Sequence, residues 1–293
     1  SLENSSSKVI ERMKKILSFK KGNFRGKIDF IEADLTDYKL LKNIFIEKQE
    51  LGQPINGVIH FAGLKAINES VNNPLKYWDT NLLSTINLLK VMQSNNCNNF
   101  VFSSSAAVYG LNKNKLITED SELMPINPYG KTKLTIENIL KDLFDSSSNK
   151  WKIANLRYFN PIGSHPSGLI GENSLRKPNN IFPLIMQVAS GDIDKLKIYG
   201  SDWPTKDGTG VRDYIHVMDV AEIHIKVLEF LMNNKPVCFS LNIGTGIGTS
   251  VLDLVKTFEK VNDVKVPYVF EKRRPGDASF VVADNSLLIS KMN

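Results

Sequence analysis

The sequence predicts an α/β fold, a doubly wound parallel sheet with a smaller lobe attached, on three observations. Strand and helix signals alternate as far as Asn160, the pattern of a parallel sheet covered on both faces. One apolar run, Asn99-Phe100-Val101-Phe102, leads into Ser103-Ser104-Ser105, which sets hydroxyls at the carboxyl edge where open α/β sheets bind ligands. Beyond Asn160 the texture changes, with Pro161, Gly163, Pro166, Gly168, Gly171 and Pro178 punctuating a loop-rich stretch that reads as the start of the smaller lobe. Residues 1–160 are thus expected to form the larger domain and 161–293 mainly the smaller one, with segments near 213–248 returning to the first.

The elements follow in order. Val9, Ile10, Met13, Ile16 and Leu17 recur at helical spacing, and Ile28, Phe30 and Ile31 then read as a short strand ending at Ala33-Asp34. Leu40, Leu41, Ile44 and Phe45 give a second amphipathic helix. Val58 to Phe61 is the next buried strand, Leu82 to Met92 the next helix, and Asn99 to Phe102 the strand that delivers the serines. A helix opening at Tyr129 buries Ile136, Ile139, Leu140 and Leu143, and Ile153 to Tyr158 follows as strand. Gly244-Thr245-Gly246-Ile247-Gly248 superficially resembles a dinucleotide loop, but its spacing is not G-x-G-x-x-G and its strand is a late one. It reads instead as a tight turn, with Thr249 or Ser250 capping the helix of Val251, Leu252, Leu254, Val255 and Phe258.

A chain of 293 residues, 42% apolar and 23% charged, can bury a substantial core. No apolar run approaches the roughly 18 residues that span a bilayer, and no secretory signal opens the sequence. Cys97 and Cys238 supply neither a disulfide framework nor a metal quartet, so a reducing, cytoplasmic setting is expected. The net charge of +6 is scattered among acids, which points to a solvated surface rather than to nucleic acid. His60, His165, His216 and His224 have no second ligand at suitable spacing and are read as structural.

The chemistry is concentrated at Ser105, Tyr129 and Lys133. Tyr129 and Lys133 are four residues apart, on one face of a helix. Such a pair is commonly only a surface pair, but here the strand-end serines precede it. A phenol ionises near pH ~10 and is a poor base at neutrality, and a neighbouring ammonium is expected to lower that value. Ser105 can then hold the alcohol whose proton Tyr129 removes, so hydride transfer between a sugar or alcohol carbon and a nicotinamide is the expected reaction.

Further blocks extend in register along the chain: His60-Phe61-Ala62-Gly63-Leu64-Lys65, Val108-Tyr109-Gly110, Arg157-Tyr158-Phe159-Asn160-Pro161, Pro178-Asn179-Asn180, Asp207 to Val217 and Arg273-Arg274-Pro275-Gly276-Asp277. With the serine and tyrosine blocks, they make the chain resemble the NAD-dependent UDP-glucose 4-epimerases of the extended short-chain dehydrogenase/reductase family, whose fold is Rossmann-like. The resemblance implies NAD as cofactor, a UDP-sugar as substrate, a homodimer, and no role for metal, nucleic acid or membrane. On the cofactor side it implies that Asp34 accepts from the adenine amino group with Leu35 beside it. Phe61, Ala62, Gly63, Leu64 and Lys65 then give a close backbone approach and a cation, and Asn81 and Phe159 complete the pocket around ribose and nicotinamide. On the substrate side it implies Arg212 and Arg274 on the diphosphate, Asp277 on ribose hydroxyls, Asn160 and Asn180 as amide donors beside Ile181, and Lys197 and Tyr199 on the uracil. Val281 stands where the family gates the sugar C2 substituent, and Ala107 replaces a frequent threonine, which removes one sugar-facing hydroxyl.

Members of that family open with a strand, a Gly-x-x-Gly-x-x-Gly turn, a helix and a second strand. This sequence contains no such unit and stops within what is a continuing region in the family, so the sheet is expected to be incomplete at its N-terminus. The 293 residues alone are accordingly expected not to retain NAD, since the helix N-terminus that holds the pyrophosphate is missing. Equilibrium titration with NAD checks this, and submicromolar binding refutes it. Two other readings stand beside the epimerase. One is a sibling nucleotide-sugar dehydration or decarboxylation, although dehydration needs an additional acid and base where this chain has Ala106-Ala107. The other is a catalytically silent nucleotide-sugar-binding remnant, against which the retained Ser105, Tyr129 and Lys133 count.

Overall fold

The computed structural model describes residues 5–19, 26–112, 116–146, 150–172, 178, 180–274 and 276–292; Asn179 and Pro275 of the quoted blocks lie outside them. Helix α1 (Lys8–Phe19) carries the expected apolar stripe, yet none of its residues is fully buried. The strand expected over Ile28 to Ile31 does not form. Residues 26–34 are irregular, and Phe30 and Ile31 are each 45% exposed. Apolar alternation makes a strand only where a neighbour pairs with its backbone, and no described strand lies beside this segment.

Asp37 then caps helix α2 (Tyr38–Glu50), accepting from the Leu40 N–H at 2.9 Å, and α2 buries Leu41 and Phe45. Strand β1 (Val58–His60) is followed by α3 (Ile67–Asn72) and α4 (Pro74–Ser94), with proline in the first turn of α4 where a missing N–H costs nothing. Helix α4 starts earlier than its apolar window because Tyr77 and Asn81 are buried as well. Strand β2 (Asn99–Ser105) runs on through all three serines, since Ser103, Ser104 and Ser105 pair in register with Leu156, Arg157 and Tyr158 of β3 (Lys152–Tyr158). Helix α5 (Pro128–Ser146) lies between them in sequence.

Beyond β3 come β4 (Asn160–Ile162), α6 (Ile181–Ala189), β5 (Leu196–Tyr199), β6 (Val211–His216), α7 (Val217–Asn233) and β7 (Val237–Ile243). After these follow β8 (Gly248–Ser250), α8 (Val251–Asn262), β9 (Tyr268–Glu271), β10 (Phe280–Val281) and α9 (Ser286–Met292). The main sheet is parallel in the order β1-β2-β3-β7, with β1 at its edge. One face packs on α2, α4 and α5 through Leu88, Met92, Phe100, Phe102, Ile136 and Leu140; the other packs on α7 and α9 through Val101, Leu156, Val227, Leu231 and Leu241. Burial on both faces is why these strands read as continuous apolar runs. A second sheet joins β10, β6 and β4, with β8 antiparallel to β6, and β5 pairs with β9. Among the described residues no helix is long and apolar enough to cross a membrane.

His60 is a core histidine. Its Nε2 sits 3.0 Å from the Thr85 hydroxyl between Phe100 and Phe102, and burial, helped by the Lys133 charge, pushes its pKa down to about 3.

Candidate active site

The end of β2 and the start of α5 bring Ser105, Tyr129 and Lys133 together. Asn127 caps the first turn of α5 by accepting from the Gly130 N–H at 2.8 Å. A Cβ on Gly130 would meet the Ala107 carbonyl at 2.7 Å, so glycine lets the helix close on the turn that follows Ser105. Ser105 accepts from the Ala107 N–H at 3.1 Å, and its hydroxyl acts on the buried Tyr129 phenol to favour the ionised form. Lys133 donates to the Ser103 carbonyl at 2.7 Å, with its ammonium 4.7 Å from the Phe102 ring centroid and 5.9 Å from that of Tyr129.

Electrostatics correct one expectation. Burial raises the Tyr129 pKa, and the Ser105 hydrogen bond opposes this only in part. Burial also pulls Lys133 down to about 8, against the charge of Glu137. Removing the pair from water penalises both charged forms, which outweighs the depression of the phenol that spacing alone suggested.

On the cofactor side, the turn after β1 is tied to α4 and α5. Asn81, only 2% exposed, accepts from the Leu64 N–H at 2.7 Å and donates to the Leu64 carbonyl and the Thr132 hydroxyl, each at 3.1 Å. Its amide therefore ties the turn after β1 to α5. Gly63 adopts φ 148°, and a Cβ there would lie 3.2 Å from Asn81 Oδ1 and 3.9 Å from Lys133 Nζ. Phe61, Ala62, Gly63 and Lys65 are exposed around this cradle and Leu64 is half-buried. A backbone bare of side chain beside Tyr129 and Lys133 fits a nicotinamide group. Asp34 instead folds into its own turn, accepting from the Thr36 N–H and hydroxyl at 2.8 Å each, and these bonds hold its pKa below the usual value. Leu35 packs on the core, and the Phe159 ring is buried with Val108, Tyr109 and Ala283.

On the substrate side, Arg212 reaches Asp277 at 3.7 Å, and Val281 sits in register beside Arg212. The Arg274 guanidinium sits over the Tyr199 ring, 3.7 Å from its centroid, so one face of the ring expected to meet the uracil is covered. Lys197 is exposed and paired with Glu271 at 3.0 Å. Asn160 opens β4, Asn180 donates to Glu172 at 2.7 Å, and Ile181 begins α6 against the third apolar cluster.

Two buried ionic groups escaped the sequence reading. Asp213, fully buried, is wrapped by the Gly244-Thr245-Gly246 turn: Oδ1 accepts from Thr245 N and Oγ1, and Oδ2 from Gly246 N and Ala283 N, at 2.7–3.2 Å. That explains the glycine-rich turn, since a Cβ on Gly244 would stand 2.6 Å from the carboxylate; Ser250 caps α8. The other group is Glu137 with Arg157, paired at 2.7 Å with both side chains 5% exposed. A glutamate one helical turn beyond Lys133 was the available signal.

The model of the GDP-mannose 4,6 dehydratase family matches residues 1–293. UDP-glucose 4-epimerase 2 of Arabidopsis thaliana is 49% identical over 291 residues, covering 99% of this chain and 80% of that protein. The UDP-glucose 4-epimerase of Stenotrophomonas maltophila, solved with NAD and formylated UDP-arabinopyranose, aligns with a TM-score of 0.92 at 41% identity, over 100% of this chain and 83% of that one. That of Bifidobacterium longum, solved with NAD+ and UDP, aligns at 0.89 and 42% identity, over 99% and 82%.

Proposed function

We propose the roles below from one premise: the chain belongs to the NAD-dependent UDP-glucose 4-epimerases of the extended short-chain dehydrogenase/reductase family. It is an isomerase that interconverts UDP-glucose and UDP-galactose through a 4-keto sugar. The observation that carries the residue assignment is the convergence of Ser105, Tyr129 and Lys133 at the β2–α5 junction.

Bound NAD supplies the acceptance and return of the C4 hydride. Phe61 to Lys65 hold it with Gly63 as the point of close approach, Asp34 and Leu35 serve its adenine side, and Asn81 and Phe159 brace that wall. Tyr129 removes the 4-hydroxyl proton and gives it back, while Ser105 holds the same oxygen. Lys133 stabilises the phenolate in a site where water no longer does so. Arg212 and Arg274 grip the diphosphate, and Asp277, Asn160 and Asn180 the remaining polar groups beside Ile181. Tyr199 and Lys197 take the uracil once Arg274 leaves the ring face. Formation of UDP-galactose from UDP-glucose without an external reductant tests the whole reading; a dehydrated product overturns it.

The division into an NAD-binding part, residues 1–160 with β7, and a substrate lobe formed mainly by 161–293 belongs to the same proposal. So do a homodimer and a cytoplasmic setting, supported by the family resemblance and by the two free cysteines. Val281 is half-buried against Val108, Tyr109 and Phe159, and because it lacks a tyrosine ring, space is expected to remain beside the sugar C2. The enzyme is therefore expected to interconvert UDP-N-acetylglucosamine and UDP-N-acetylgalactosamine as well. Val281→Tyr is expected to suppress kcat/KM selectively for the acetylated pair. Comparison of both sugar pairs in both variants decides this, and a wild type inactive on the acetylated pair refutes it.

A further inference from the structure

Two of the three serines that end β2 hydrogen-bond residues of α5, and the third acts on Tyr129 at the helix's first turn. The Ser103 carbonyl accepts from Lys133 at 2.7 Å, the Ser104 hydroxyl donates to Glu137 Oε1 at 2.5 Å, and the Ser105 hydroxyl acts on the Tyr129 phenol to favour its ionised form. Tyr129, Lys133 and Glu137 are spaced four apart on one helix face, and strand and helix are fastened by hydrogen bonds at the last two of these turns. The middle serine points into the protein and is 1% exposed. From β3, Arg157 closes on the same carboxylate, with Nε donating at 3.1 and 3.2 Å and Nη2 at 2.7 Å. Its Nη1 donates to the Tyr109 hydroxyl at 2.8 Å and to the Glu119 carbonyl at 3.0 Å. Glu137 thus accepts from two different strands at the level of the reacting side chains.

A carboxylate this buried is costly unless fully bonded, and a core of apolar residues would fasten helix to sheet at less cost. Its placement one turn beyond Lys133 suggests a use beyond packing. Lys133 is otherwise faced by the Phe102 ring, the Ser103 carbonyl, Tyr129 and, across the sheet edge, neutral His60. Of the groups acting on its charge, Glu137 is the one that favours the ammonium. Glu137 in turn is faced by Arg157, Ser104, Tyr109 and Cys238. Burial works against the Arg157 charge, but hydrogen bonds to Glu137 and its charge hold that guanidinium above its ordinary pKa.

We propose that Glu137 is a positioning residue for proton transfer: clamped by Arg157 and Ser104, it sets α5 against β2 so that Tyr129 meets Ser105, and it places a buried carboxylate one helical turn from Lys133. The proposal rests on the catalytic reading of Tyr129 and Lys133 given above.

The test compares wild type, Glu137→Gln, Glu137→Asp and Ser104→Ala in the full-length, NAD-loaded enzyme, together with ultraviolet titration of the Tyr129 phenol against a Tyr129→Phe reference. Glu137→Gln is expected to move the alkaline limb of kcat to lower pH by on the order of one unit, because Lys133 then loses its proton sooner. The phenolate absorbance is expected to weaken in the same pH range. Glu137→Asp keeps the charge and is expected to leave the limb in place. Ser104→Ala keeps the ion pair and is expected to lower kcat by about tenfold with KM unchanged. Uniformly reduced activity with an unmoved limb in Glu137→Gln overturns the electrostatic role, and wild-type kcat in Ser104→Ala overturns the clamp. If Glu137→Gln does not fold, the Ser104→Ala and Glu137→Asp results decide alone. Failure of the underlying catalytic reading is distinguishable, since it appears as an active Tyr129→Phe reference.

Discussion

Tyr129→Phe in the full-length, NAD-loaded enzyme is expected to lower kcat by about 10²–10⁴-fold, the usual worth of a positioned acid or base, while KM for the UDP-sugar stays close to wild type. The phenol is the group that the Ser105 hydroxyl acts on and that stands beside Lys133, and phenylalanine fills the same space without a proton to move. The diphosphate and uracil contacts assigned to Arg212, Arg274 and Tyr199 are remote from that oxygen, so ground-state binding is expected to survive. Steady-state kinetics in both directions, with binding of UDP measured separately, check the split. Near wild-type turnover sinks the assignment. Loss of UDP binding together with turnover shows that the substitution disturbed the fold.

Asp213→Asn is expected to cost about 3 kcal/mol of folding stability, with UDP affinity falling alongside it. The four donors around this carboxylate come from the turn after β7 and from the chain just after β10, while Asp213 itself stands next to Arg212 on β6. An asparagine amide offers one acceptor oxygen where two are used. Placed either way, its NH₂ faces a backbone N–H with no water to relieve the clash. The loosened β6–β10 pairing holds both Arg212 and Val281, which links the stability loss to the substrate side. Denaturant unfolding and UDP titration test this. A variant as stable as wild type means that the turn re-forms without its anion.

The sequence reading was strongest wherever a pattern is local. Strands β1, β2 and β3 and helices α1, α2, α4 and α5 follow apolar periodicity closely, and the Tyr129/Lys133 spacing needs only a helix. It failed where a neighbour was required. Phe30 and Ile31 have strand chemistry but no partner strand among the described residues, and they lie exposed in an irregular segment. Asp34 is tied to Thr36 through Oδ1, a local turn that the sequence does not announce. The bonds of Asn81 to Leu64 and the packing of Phe159 on Val108 and Tyr109 join positions far apart in the sequence.

Local chemistry by itself determined the parallel α/β architecture, the serine-tipped strand, the tyrosine-lysine pair and the family blocks, because each depends on residue type at short or ordered spacing. Tertiary structure alone decided which charges are buried and with whom. Glu137 meets Arg157 across 20 positions, and Asp213 meets Gly246 across 33. It also reversed the expected direction for Tyr129, since desolvation is a property of everything packed around a phenol and leaves no mark on the residues four places away.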